Sequence, residues 1–408
     1  MLYKGCTMIR VMTLKDAPAA AVWRREPYRL FFPLGLALAW AGVLHWLLHG
    51  LGLLPDYRPV FHSITQIQGF LMCFALGFLL TAIPRRTGTA PPAAWQVVLA
   101  AVCSVAIVIC AWFGWFGLAQ VFWIAIVIML IGFAVKRFRS GQATRRPPNS
   151  FVWIPLSLAI GVAGSILIGL DGILGDEYYR VYALGRLLLL QGMFSGLIVG
   201  AGGMVLPLLT RGVGPPDGAA TAQDRRARLA HVVAALVLAG SFWWEQAIDL
   251  QSGLALRAVL IGWLLVVVAG IWRKPTIPGW HRRLVWLSAW IIPLGYTLAA
   301  LFPAQKKAGL HVVFIGGFAM MALSVGLHVT LAHGGHQTLA RGRPWQVPLC
   351  GGFLLVSVVL RTLVDFDSPR FFPWLATSAG AFLIATLFWA GLALPRMWRE
   401  GEPPRADS

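Results

Sequence analysis

The sequence predicts an all-α polytopic membrane protein of about twelve transmembrane helices, with the N- and C-termini cytoplasmic. Three observations predict it. Of 408 residues, 58% are hydrophobic and only 12% are charged, with a mean hydropathy of +0.73, which is too little charge to cover a soluble surface. Apolar runs of about 20 residues, long enough to cross a bilayer, recur along the chain. Basic residues gather in every second short loop, as cytoplasmic loops do.

The runs lie near 30–53, 63–84, 93–113, 116–135, 151–170, 181–209, 229–249, 253–271, 281–302, 309–332, 345–364 and 371–394. Pro27 and Pro33 bracket the start of the first. Arg24, Arg25 and Arg29 precede it, and Arg85 and Arg86 follow the second. Lys136, Arg137, Arg139, Arg145 and Arg146 follow the fourth. Arg225, Arg226 and Arg228 precede the seventh, Arg273, Lys274, Arg282 and Arg283 the ninth, and Arg341 and Arg343 the eleventh. Asp56, Asp171, Asp176, Glu177, Asp249, Asp365 and Asp367 fall in the alternate loops, where Lys306 and Lys307 are the exception. The organisation is thus a cytoplasmic segment 1–29, a transmembrane domain 30–394 and a cytoplasmic tail 395–408. The start of the chain lacks a signal-peptide shape, because its apolar run comes late.

The partner this implies is the lipid bilayer. The net charge of +19 sits in short loops and does not argue for nucleic acid. Five cysteines have no paired or CxxC spacing, and four lie in or beside apolar runs, so they read as small hydrophobes. Gly192, Gly196 and Gly200 recur at four-residue spacing in the sixth span, which suits close approach of a helix or a flat ligand. Spans two and six both end in P-x-x-T, at Pro84 to Thr87 and Pro207 to Thr210, a hint of related halves. The sequence assigns no oligomeric state.

Polar groups at membrane depth are expensive and mark sites. The predicted orientation sorts the nine histidines. His45, His49, His62 and His311 fall at the outer side, and His328, His333 and His336 at the inner side. His231 and His281 adjoin basic loops and read as solvated. His311 and His333 lie about 33 Å apart on one helix at 1.5 Å per residue, so they cannot share one metal. An outer site draws on His45, His49, His62 and His311, with Arg186, Gln191 and Glu245 as supporting groups. An inner site draws on His328, His333 and His336, with Arg85, Arg86 and Arg211 near by depth. Imidazole suits haem iron and copper. The bland readings are interface anchors for His45 and His49, and helix-end residues for His62 and His311. Glu245 reads either as a proton-relay group or as the partner of Arg186.

Four stretches resemble one family. Pro27-Tyr28-Arg29-Leu30-Phe31-Phe32 is similar to P-x-[FY]-R-x-F-F. His62 through Gly69-Phe70, running on to Gly77-Phe78-Leu79-Leu80-Thr81-Ala82-Ile83-Pro84 and Thr87-Gly88, is similar to W-H-x-H-E-M-x-x-G-[FY] followed by G-F-L-L-T-A-V-P-N-W-T-G. Gly202-Gly203-Met204-Val205-Leu206-Pro207 to Thr210 resembles G-G-R-x-I-P-x-F-T. His311 with Gly316, then Val329-Thr330-Leu331-Ala332-His333-Gly334-Gly335-His336, resembles H-A-x-x-x-G with [VA]-[TS]-L-G-H-T-G-R. Together they resemble the NnrS family of twelve-span membrane proteins. The resemblance implies haem and copper, a role in nitric oxide or nitrosative stress, and the bacterial inner membrane. By position it implies His62, His311 and His333 as cofactor or metal ligands. The chain departs from the pattern at Ile64 and Thr65, which replace a histidine and a glutamate, at Arg85 and Arg86, at Met204 and at His336. Copper is the cofactor these losses affect most. Spans six and seven carry no mid-depth histidine of the kind haem-copper oxidases need.

The expected function is therefore haem binding linked to nitric oxide, or to another small-molecule ligand. The alternative is a metal-free transporter or permease using Glu245 and Arg186. The sequence does not decide whether the chain is an enzyme.

Overall fold

The structure is a computed structural model that describes residues 22–140, 146–174 and 179–399. Every regular element among the described residues is helical. Twelve helices are long and apolar enough to cross a membrane: α1 (Tyr28–Gly50), α2 (Pro59–Thr87), α3 (Ala94–Trp112), α4 (Phe116–Phe138), α5 (Asn149–Leu170), α6 (Tyr179–Arg211), α7 (Ala222–Ala247), α8 (Leu250–Ala269), α9 (Trp280–Leu301), α10 (Pro303–His333), α11 (Gln346–Phe366) and α12 (Ser368–Trp398). All twelve expected spans are present. Asp176 and Glu177 lie outside the described residues, as do residues 1–21 and 400–408.

The helices fall into three consecutive sets of four. Neighbours in sequence pack along each set, and α4 on α5, α8 on α9 and α12 on α1 close the ring. The second helix of each set is the inner one. Some 83% of the α2 span, 78% of α6 and 72% of α10 is buried, against 61% or less elsewhere. Each inner helix has a π-helical stretch near the start of its span, at Thr65–Leu71, Leu188–Gly192 and Val312–Ala319. Such stretches often mark functional sites.

Aligning the π stretches exposes an internal repeat. It superposes Gly69 on Gly192 and Gly316, Gln68 on Gln191, Gly77 on Gly200, Pro84 on Pro207 and Thr87 on Thr210. The P-x-x-T echo is thus part of a longer register. Both threonines bond back to the carbonyl four residues earlier, Ile83 and Leu206. Both helices then stop at a left-handed glycine, Gly88 at φ 67° and Gly212 at φ 74°.

Each aligned glutamine bonds to a neighbour within its own set, and the Gln120 oxygen carries the link to the next. Gln68 Nε2 donates to Gln120 Oε1 of α4 at 2.9 Å, and Ser165 of α5 donates to the same oxygen at 2.7 Å. Gln191 Oε1 accepts from Arg257 of α8 at 3.1 Å. The third set returns to the first through Trp40 Nε1, which donates to Thr386 Oγ1 at 2.9 Å. Outside the bilayer span, Asp249 caps α8 by accepting from Ser252 N at 2.6 Å. Hydrogen bonds from the Ser252 hydroxyl and backbone hold its carboxyl below the ordinary value. The cap's contribution is therefore present above the ordinary carboxylate pKa of about 3.9 and is lost only as pH falls through the lowered value.

The repeat also isolates one exception. At the position of Gly185 and Gly309 the first set carries His62. A Cβ on Gly185 would lie 2.8 Å from Gly164 O, and one on Gly309 2.5 Å from Ala299 N, so those helix pairs touch backbone to backbone. The α1–α2 pair instead admits an imidazole. Gly309→Ala should therefore lower stability by about 1–3 kcal/mol through overpacking against backbone. Gly132→Ala, with nothing within 4 Å of the new Cβ, should be neutral or gain up to ~1 kcal/mol. Thermal unfolding in detergent separates the two, and equal midpoints would contradict the packing argument.

Candidate functional site

A cavity of about 620 Å³ lies between α1, α2, α6, α10, α11 and α12. This is within the range of roughly 300–1,000 Å³ usual for ligand pockets. It sits toward the face opposite the arginine-rich loops, with Tyr57 and Tyr179 among its mouth residues and Phe70, Phe314 and Phe382 in its walls. Burial raises the Tyr57 phenol above its ordinary value, so at neutral pH it is a donor.

His62 and His311 both line this cavity, one from α2 and one from α10. Each ring is fixed from behind. His62 Nδ1 bonds Gly42 O at 2.8 Å, and His311 Nδ1 bonds Lys307 O at 2.7 Å. A carbonyl can only accept, so both protons sit on Nδ1 and both Nε2 atoms carry a free lone pair. Metal-bound histidines are oriented in this way, their second nitrogen donating to a carbonyl or carboxylate. α1 and α2 approach closely here, since a Cβ on Gly42 would lie 2.9 Å from Thr65 Cγ2.

Arg186 and Gln191 of α6 also line the cavity, with Lys306, Lys307, Arg361 and Asp365. Glu245 stands behind the wall and is buried. It is not the partner of Arg186. Glu245 Oε2 holds Arg257 at 2.7 Å, and Oε1 holds Lys306. Arg257 is fully buried, its guanidinium 3.7 Å from the Phe242 ring centre. Because arginine only donates, the Gln191 atom it meets is the carbonyl oxygen, which leaves the Gln191 amide NH2 for the cavity.

Other expected residues lie elsewhere. His45 is buried beside His62, ring centres 6.1 Å apart, but does not line the cavity, and neither ring nitrogen has a partner. His49 Nδ1 bonds Leu54 O at 2.9 Å and its ring packs on Phe372. At the arginine-rich end His333 contacts Arg85, which also bonds buried Glu26 at 2.7 Å. Arg86 pairs with Asp217 at 2.5 Å, in a different place. His336 is half-buried near the end of α10, its Nε2 without a partner. His281, expected to be solvated, is 1% exposed, and its Nε2 lies 3.2 Å from His328 Nδ1. Just before α9, a Cβ on Gly279 would lie 2.7 Å from Ala340 O.

Among the described residues no three His, Cys, Asp or Glu side chains group as a metal cage. Arg257 and Arg361 were missed by sequence reasoning, although a lone arginine in an apolar run is itself a signal.

A comparison with protein families matches residues 22–400 to the family described as NnrS protein. The chain belongs to the NnrS family. No curated protein matches it. In this NnrS-family chain, two of the three histidines carried over by motif position share one cavity, and His333 sits at the opposite end of α10.

Glu245→Ala would leave Arg257 buried without its counter-charge. Stability should fall by about 3–5 kcal/mol, read as a lower thermal midpoint in detergent. An unchanged midpoint would remove Glu245 from its supporting role.

Proposed function

We propose that the cavity is a haem site, held by His62 and His311, in a membrane protein of the nitric oxide or nitrosative stress response. The observation that carries this reading is the paired imidazoles. Two histidines from different inner helices face one mostly apolar cavity, each with Nδ1–H engaged and Nε2 free. The donor set fits haem iron, for which imidazole is a common axial ligand. When bound, haem supplies an iron that changes oxidation state and takes up nitric oxide.

The chain's own residues have definable tasks. His62 and His311 hold the metal, and the carbonyls of Gly42 and Lys307 keep both rings in the required tautomer. Phe70, Phe314 and Phe382 exclude water from the apolar body. Gln191, fixed by Arg257, offers an N–H donor inside. The positive-inside rule places the arginine-rich face in the cytoplasm and the cavity mouth outside, and family membership favours the bacterial inner membrane. Copper finds no three-ligand cage among the described residues, and we do not extend the proposal to it. The transport reading rested on Glu245 with Arg186. Arg257 and Lys306 occupy Glu245 instead, so that path has no geometric support.

Protein purified in detergent should show a Soret band. His62→Gly and His311→Ala should each abolish or shift it. His62→Gly is the cleaner variant, because glycine fills this position in the two sister helices. A wild-type protein with no Soret band, or one indifferent to both substitutions, would refute the haem site.

A further inference from the structure

Charge in the cavity is unevenly matched. Four cations line it, Arg186, Lys306, Lys307 and Arg361, against one acid, Asp365. Arg361 takes Asp365 at 3.5 Å, and Lys306 takes Glu245 from behind the wall. Arg186 and Lys307 have no acidic partner among the described residues. Lys307 is exposed and solvated, whereas Arg186 is half-buried. Its guanidinium lies 5.8 Å from the Tyr182 ring centre. A cation held inside an apolar cavity at membrane depth is costly unless something neutralises it.

Depth adds a second constraint. The repeat aligns Gly185 with His62 and Gly309, so the backbone of Arg186 stands level with His62, and its guanidinium reaches back over Tyr182 on the mouth side. Lys307 lies one turn before His311 on the facing helix α10. Between them they offer positive charge from two sides at the edge of the space the imidazoles face. A guanidinium fork matches a carboxylate bidentately, which an ammonium cannot do.

We propose that Arg186 is a specificity residue, selecting an occupant that carries carboxylates on an apolar body. The proposal rests on reading the cavity as a tetrapyrrole site, and it adds which chemical group of the occupant is recognised and by what. A fully apolar occupant would leave the half-buried Arg186 without a counter-charge.

The test uses metal-free protoporphyrin IX, a diacid, and its dimethyl ester, so that no iron–imidazole bond contributes. Binding to the detergent-purified protein is followed by porphyrin fluorescence. The diacid should bind about tenfold or more tighter than the ester, the worth of a charge-assisted hydrogen bond. Arg186→Gln should abolish that preference and leave ester affinity unchanged, and Arg186→Lys should restore part of it. Thermal midpoints of both variants show whether they are folded. Equal affinities in the wild type, a preference that survives Arg186→Gln, or no binding of either porphyrin would overturn the proposal. A haem Soret band without acid preference would leave the histidine site standing and remove Arg186. Acid preference without a histidine-dependent Soret band would do the reverse.

Discussion

A bilayer offers no water to a polar group, so a polar side chain buried on an inner helix is costly unless it finds a partner in the protein. That constraint organises this molecule. Gln68 finds Gln120, which also accepts from Ser165 of the second set, and Gln191 finds Arg257 within that second set. Arg257 then requires Glu245, and Glu245 also holds Lys306 at the cavity wall. The site is thus built from the same satisfied network that assembles the fold. Changing one member propagates to the cavity without touching it.

The exception to close packing matters as much as the packing. Two helix pairs meet at Gly185 and Gly309, where even a methyl group would strike backbone. The first pair opens around His62, and the Gly42 carbonyl receives its Nδ1 proton. A functional group has been inserted where the repeat would otherwise place a glycine. The π stretches just beyond this position let each inner helix change register without losing its hydrogen bonds.

Much of this was legible in the chain. Apolar length gave twelve spans, most with ends correct to a few residues, since hydrophobic thickness is a one-dimensional property; the seventh and tenth begin earlier than expected, at Ala222 and Pro303. Depth along a helix is also nearly one-dimensional, so His62 and His311 could be assigned to one side and His333 to the other. The motifs that resemble the NnrS family pointed to the same three histidines. The P-x-x-T echo was visible and its spacing already aligns Gln68 with Gln191, but extending the register to the third set needed the π starts.

Which faces meet was not legible. Glu245 and Arg186 were natural partners by depth, yet Arg257 reaches the carboxylate from α8, which packs on α7, Lys306 reaches it from the start of α10, and Arg186 lines the cavity. His45 and His62 are neighbours, but only His62 faces the open space. His281 adjoins basic loops in sequence and is nevertheless buried, because its ring stacks on His328 of the inner helix α10. The sequence by itself determined how many helices cross the membrane and at what depth each polar group lies. Only the tertiary structure decided which of those groups turn toward one another, because rotation about each helix axis is set by packing with neighbours, and hydropathy does not encode it.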